Sequence, residues 1–297
     1  MKFGSVDNPE LVDFTLPKDH EGTAKILKDS SHKGKPNIYV GCAKWNRTDL
    51  KGFYPRGTKD ELSYYATQFN SIELNATFYN FPSIEQYETW AEKTPEDFKF
   101  FPKINQMISH LKRLNDVEVY TEDFCNNLAG LGEKLGVVFL QLHNNFAPKN
   151  WDRLEHYLEQ FPKGIPLSVE VRHTDWLNDP EVADRFYTLL EQHNVINIIT
   201  DTAGRRDLVH MRLTTPSAFV RYVGANHESD YTRLDDWIER IKSWIEIGGI
   251  ENIYFFVHQN IEKASPLLSA YFIEKLNAEL GYNLTIPNRQ EKQSTLF

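Results

Sequence analysis

The sequence predicts an α/β protein, a (β/α)8 TIM barrel with an irregular link between its sixth and seventh strands. Three observations carry that reading. Eight short apolar runs with little polar alternation recur along the chain, the pattern of parallel strands covered on both faces. Helix-like segments separate most of these runs. The chain has 297 residues, long for one average domain and ordinary for one such barrel. An open, doubly wound sheet is the alternative. The number of units favours closure.

Residues 1–36 read as an N-terminal arm, acidic and proline-containing at first and then the polar run SSHKGKPN, with Phe14 and Leu16 as docking residues. A lid is one use for such an extension. The first strand is Ile38–Cys42. A helix follows over Thr58–Phe69, where Leu62, Tyr65, Ala66 and Phe69 repeat at three-to-four spacing behind Asp60 and Glu61. Ser71–Asn75 is the second strand, before a helix at Ile84–Lys93, and Phe98–Ile104 is the third. A long helix is expected from Glu118 to Leu135, then the apolar fourth strand Gly136–Leu142. Asn150 is a candidate cap for a helix over Trp151–Phe161. Pro166–Val171 is the fifth strand. The pair Asp179–Pro180, a cap and a first-turn proline, opens a helix to Gln192. Val195–Thr200 is the sixth strand. No helix is visible in the link Asp201–Pro216 to the seventh strand, Ala218–Val223. The helix Leu234–Ile247 stops at Gly248–Gly249. Strand eight is Asn252–Val257 and the last helix Pro266–Leu280. The barrel is therefore assigned residues 37–282, and a polar tail residues 283–297.

Composition narrows the function classes. Hydrophobic residues make up 40% and charged residues 25%, enough for a large core in a soluble protein. The net charge of −9 removes the broad electrostatic footprint of a duplex-binding protein and leaves room only for a local basic cleft. Cys42 and Cys125 fit no metal or redox spacing and read as two buried thiols in a reducing compartment. The opening MKFGSVDNPE lacks the apolar centre of a signal peptide, and no run has membrane-spanning length. A cytoplasmic protein with no membrane partner is the expectation. GCAKWN after the first strand is neither a dinucleotide fingerprint nor a P-loop. Aromatics reach 13%, many set among polar residues, as suits a wall for a sugar or base.

In such a barrel, chemistry sits at the C-terminal ends of the strands. Period-two alternation turns Ser71, Glu73 and Asn75 inward on strand two, Lys99, Phe101 and Lys103 on three, and Phe139, Gln141 and His143 on four. Ser168, Glu170 and Arg172 follow on strand five, Phe219, Arg221 and Val223 on seven, and Tyr254, Phe256, His258 and Asn260 on eight. Asp201 ends strand six. The polar members gather near the exit ends. Glu73, Glu170, Lys103 and His173 are the candidate catalytic residues. Arg172, Arg221, Asn260, Trp45, Tyr79, Trp176 and His110 are the candidate substrate-binding residues. Glu170 and Arg172, two apart on one face, can instead neutralise each other. An inward Lys103 requires an anion, either Glu73 or a ligand. Arg221 is the candidate clamp for a carboxylate or phosphate, by its planar fork.

The runs GCAKW (41–45), GFYP (52–55), SIELNATFY (71–79), WAEKTP (90–95), FKFFPK (98–103), ISH (108–110), LGVVFLQL (135–142) and EVRHTDW (170–176) together resemble the domain-of-unknown-function family 72. The resemblance extends over about residues 38–275. It implies a TIM barrel and no established activity, and it carries Glu73, Lys103, Glu170, Arg172, His173, Arg221 and Asn260 over as site candidates. There are departures: the Ser-Gly-Trp type of opening survives only in Trp45, and the family's His-Gly after strand seven is Val223–Gly224 here.

Three functions compete. The first is a metal-independent acid–base enzyme, an isomerase, epimerase or hydrolase, acting on a small anionic or sugar-like substrate. Glu170 or Glu73 would be its base, with Lys103 and Arg221 holding the anionic group. A divalent-metal sugar isomerase or phosphoesterase would draw ligands from Glu73, Glu170, Asp201 and His258, against the crowding of Lys103 and the arginines. A non-catalytic barrel binding a ligand or nucleic acid is the third, and saturation of Glu73 and Glu170 by cations would point to it. The first is preferred, with no cofactor and no metal, and a small polar or anionic ligand as partner.

Overall fold

The computed structural model describes residues 4–289. Eight strands form among them: β1 (Asn37–Cys42), β2 (Ser71–Leu74), β3 (Lys99–Pro102), β4 (Val138–Gln141), β5 (Leu167–Glu170), β6 (Ile196–Thr202), β7 (Ser217–Gly224) and β8 (Asn252–Gln259). The helices are α1 (Glu21–Asp29), α2 (Glu61–Gln68), α3 (Ala76–Tyr79), α4 (Ile84–Glu92), α5 (Glu118–Leu128), α6 (Trp151–Gln160), α7 (Pro180–Gln192), α8 (Ser229–Ile247) and α9 (Ser265–Leu280). Short apolar runs became strands because each buries both faces, one against the helices and one against the opposite strands.

All pairings are parallel. One sheet of six runs β1-β8-β7-β6-β5-β4, and β2 pairs with β3 in a second sheet. Apart from β1, which pairs with β8, neighbours in space are neighbours in sequence, without the reversal that defines a doubly wound sheet. The edges of the two sheets meet. β3 continues toward β4 through isolated bridges at Phe100–Leu135 and Lys103–Phe139. Between β1 and β2, side chains take the place of a ladder. Asn70 accepts from the Val40 amide through Oδ1 and donates through Nδ2 to the Ile38 carbonyl, at 2.9 and 2.8 Å. The Tyr65 hydroxyl accepts from the Cys42 amide at 2.7 Å and donates to the Ser71 carbonyl at 3.0 Å. Gly41 permits this approach: a Cβ there would lie 2.3 Å from the Ser71 carbonyl oxygen. Tyr65→Phe should cost about 1–3 kcal/mol in urea unfolding, because it strands a buried donor and a buried acceptor.

The core has two layers. Phe101, Phe139, Phe219, Tyr254 and Phe256 form an aromatic cluster among the strands, on the face that alternation assigned inward. The other faces pack on the helices, as Val220, Trp237, Phe255 and Phe272 do. Cys42 and Cys125 are buried free thiols, and burial pushes the Cys125 thiol up to about 12. No helix among the described residues is long and apolar enough to cross a membrane.

Two segments differ from expectation. The long helix stops at Leu128, and a 3-10 turn over Ala129–Lys134 replaces its last part. There Gly130 packs so closely that a Cβ would lie 2.3 Å from the Ile84 carbonyl oxygen, and Gly132 takes a φ of 51°. The link after β6 holds only a 3-10 turn, Ala203–Leu208. Beside it sits α1, from the stretch read as an arm. Thr23 Oγ1 donates to the Met211 carbonyl at 2.7 Å and accepts from the Leu213 amide at 3.0 Å, and Leu27 packs in the cluster that holds Ile199 and Val220. The arm is further tied down by Asp19, which accepts from Arg240 and Trp244. Of the expected tail, residues 283–289 are described and 290–297 lie outside the described residues.

Candidate functional site

Side chains from five strands meet at the C-terminal ends of the sheets, where apolar layering gives way to charge. Arg221 of β7 is the hub. Its Nε and Nη2 donate to the two oxygens of Glu73 on β2, both at 2.8 Å, and its Nη1 donates to Glu170 Oε2 on β5 at 2.6 Å. Arg172 Nε holds the other Glu170 oxygen at 2.9 Å, and Gln141 Nε2 of β4 donates to Oε2 at 2.9 Å. Glu73 also accepts from Asn75 Nδ2 at 2.8 Å, and His258 Nε2 of β8 lies 3.0 Å from its Oε2. Next to a carboxylate, that nitrogen carries the proton.

The electrostatics follow from this geometry. Burial pushes the Glu73 carboxyl up, but Arg221 and His258 outweigh it and hold the group well below the usual carboxylate range. Glu170 behaves alike: burial is overcome by Arg172 and Arg221, and its pKa is lowered. Both carboxylates are therefore ionised and saturated. The expected general base is corrected on this ground, since every oxygen of Glu73 and Glu170 is already taken up by a hydrogen-bonded partner. Arg221 is corrected too. With its fork spent on two buried carboxylates, it is an internal brace and not a free clamp for a ligand.

Lys103 is built differently. The chain leaves β3 at Pro102, and the Lys103 ammonium donates to the amide oxygen of Gln141 at 2.8 Å and lies 4.2 Å from the centre of the Phe78 ring. Of the two anions considered for it, Glu73 or a ligand, Glu73 is not its partner, because Arg221 and His258 occupy that carboxylate. Burial, then Arg221 and Arg172, push Lys103 down to about 7, against a partial pull back from Glu170 and Glu73. His110 lies in a five-residue π-turn, Met107–Leu111, with its ring 4.8 Å from that of Phe78 and its Nδ1 2.9 Å from Ser109 Oγ. Burial and Lys103 push it down to about 3, so it is a neutral imidazole in the working range.

The remaining candidates scatter. His173 turns away from the cluster to accept from the Asp175 amide at 3.3 Å. Trp176 is wholly buried between Phe146, Trp151 and Phe186, with Nε1 on the Phe146 carbonyl, and is packing and not a cleft wall. Trp45 packs edge-on against Trp90. Tyr79 is 67% exposed and touches Phe78. Asn260 follows β8 directly, half-buried, with no hydrogen-bond partner among the described residues. Asp201, a proposed metal ligand, faces the other way onto Arg206, Arg233 and Trp237. Among the described residues no group of three or more His, Cys, Asp or Glu side chains comes together to hold a metal ion.

Gln141 and His258 are the members that sequence reasoning underweighted. Alternation placed both inward, but an amide and a lone histidine carry no chemical signature of their own. His258 pairs in register with Val223, the position where a histidine was expected. A separate cavity of about 530 Å³ opens at the opposite strand ends, beside Val137, Leu167, Ile196 and Ser217, and holds none of these converging charges.

Fold and site define a parallel α/β protein with a braced, charged cluster at the C-terminal ends of its strands. The chain belongs to the family described as "Protein of unknown function DUF72", whose sequence model matches residues 39–293. It is similar to the UPF0759 protein YecE of Escherichia coli K12, 27% identical over 285 residues that cover 88% of this chain and all of that one. The UPF0759 protein YunF of Bacillus subtilis is 27% identical over 48% of this chain and 53% of its own. Among solved structures, a DUF72 family protein of Thermotoga maritima superposes with a TM-score of 0.68 at 26% identity, covering 81% of this chain and 99% of that one. One from Enterococcus faecalis gives 0.68 at 19% identity, over 86% of this chain and all of its own.

Proposed function

We propose that the eight strands close into one barrel, and that its mouth belongs to a metal-independent acid–base enzyme acting on a small anionic ligand. Lys103 is the group that carries the proton. The closure is supported by the side-chain seam between β1 and β2 and the bridges between β3 and β4. One observation carries the function: Lys103 is buried against an amide and a ring while both carboxylates beside it are held by arginines. A side chain with a pKa near 7 is suited to taking and returning a proton at neutral pH. The charge count also points to an anion. Two carboxylates face Arg172 and Arg221, so a protonated Lys103 is the uncompensated charge.

The reaction class that fits is proton transfer at a carbon beside a carbonyl, isomerisation or epimerisation, with Arg172 next to the developing oxyanion. Hydrolysis of a glycoside fits poorly, since it needs two carboxyls free to exchange protons and water. Two buried free thiols suit a reducing compartment, and on that ground we place the protein in the cytoplasm. Wild-type protein should exchange substrate hydrogen for deuterium in D2O when screened by NMR against pooled keto and hydroxy acids and their phosphates. Lys103→Met should slow that exchange about 10²–10⁴-fold and leave ligand binding measurable. A non-catalytic anion receptor is the second reading, favoured by the saturated carboxylates. Tight binding from such a pool with no exchange by the wild-type protein would decide for it.

A further inference from the structure

Beside the mouth lies an open cavity of about 510 Å³ lined by Arg113, Lys149, Arg153, His173, Asn145 and Asn150. These residues come from the loops after β3, β4 and β5 and from the first turn of α6. No carboxylate lines the cavity, although Asp175 stands 3.6 Å from His173 Nδ1. Arg113, Lys149 and Arg153 have no ion-pair partner among the described residues, unlike the arginines of the mouth. A protein of net charge −9 has therefore gathered three cations without counter-charge in one concavity. Like charges so placed repel each other weakly across water, and an anion seated among them relieves that repulsion.

Backbone geometry supports a purpose. Arg113 and Leu114 take φ values of 51° and 61°, and Asp116 50°. Left-handed conformations cost free energy in bulky residues, and their clustering points to a constrained functional loop. The cavity also neighbours the mouth along the chain. His173 follows Arg172 in sequence. On the other side, the Phe78 ring under Lys103 touches His110, whose ring centre is 5.3 Å from that of His143. Arg113 lies close enough to His143 to help burial push that imidazole down.

We infer that this basin holds the phosphate of a phosphomonoester substrate whose reacting end lies at Lys103. The substrate assignment rests on the proposed function, but the anion site does not. Guanidinium groups bind phosphate oxygens in pairs, the ammonium of Lys149 adds charge, and Asn145 and Asn150 supply neutral donors. A small ligand fits better than a nucleic acid, because the basin is local and the net charge is opposed to a long polyanion.

The test is an NMR titration with inorganic phosphate. Wild-type protein should bind it, and the exposed pair Lys149→Gln/Arg153→Gln should weaken that binding by about tenfold or more. Arg113→Gln should weaken it as well. Absence of phosphate binding by the wild type overturns the inference. So does loss on Lys103→Met with none on the double variant, which would put the anion in the inner mouth. A single-stranded oligonucleotide that binds more tightly than phosphate, and is lost with the same double variant, overturns it in favour of nucleic acid. The deuterium-exchange assay on Lys103 is read separately, so either idea can fail without the other.

Discussion

Replacing Arg221 by leucine is expected to cost the protein about 3–5 kcal/mol of stability, because it leaves two buried carboxylates without a counter-ion. Glu73 is wholly buried and Glu170 is 1% exposed. Arg172 would still hold one oxygen of Glu170, but Glu73 would keep only Asn75 and His258. Urea unfolding followed by tryptophan fluorescence measures the loss. A fourfold change, Glu73→Leu, Glu170→Leu, Arg172→Met and Arg221→Met, should recover most of it, since an apolar set of similar size carries no desolvation penalty and leaves neither arginine without its carboxylate. If Arg221→Leu alone were neutral, the cluster would be more hydrated than its burial indicates, and the bracing role of Arg221 would be wrong.

Lys103→Met should act in the opposite direction and make the protein more stable. The side chain is buried and charged at low pH in both folded and unfolded chains, so the folded state carries the full cost of burying that charge below pH 7. Its pKa is 10.5 when free and about 7 in the fold. Between those values the unfolded chain binds more protons than the native one, so wild-type stability rises with pH. Above about 10.5 the amine is neutral in both states and the penalty is gone. The gain from methionine should therefore be largest at pH 6, about 2–4 kcal/mol at a scale of 1.36 kcal/mol per pKa unit, and shrink steadily toward pH 10. The lost hydrogen bond to Gln141 lowers the net figure. Thermal or urea unfolding of both proteins across that pH range supplies the comparison. A methionine variant less stable than wild type at pH 6 would mean that Lys103 is a structural donor.

The fold was legible because burial on both faces writes itself into a strand as an unbroken apolar run, as in Gly136–Leu142. Inward alternation was equally readable: Glu73, Lys103, Gln141, Glu170, Arg221 and His258 all point the way their parity indicated. Which charge takes which partner was not readable. Glu73 is joined to Arg221 across 148 residues of sequence, and nothing local to either residue distinguishes that pairing from one with Lys103. For the same reason the sequence could not tell a base from a counter-ion. Trp176 misled because an aromatic after a polar strand end looks the same whether it walls a cleft or fills the space between helices. The gap after β6 was visible, but not the helix that fills it, since α1 comes from the far end of the chain.

That last feature has a bearing on how the chain assembles. Thr23 and Met211 bond across 188 residues, so the first helix to be synthesised finds its seat only after β6 and β7 exist. Such a contact contributes nothing until most of the domain is in place, and the loop it closes is long. During synthesis, residues 21–29 must wait as an amphipathic segment until the link between β6 and β7, which holds Met211 and Leu213, has emerged to seat them. The shortest segment that folds well therefore begins upstream of the stretch that marks the family.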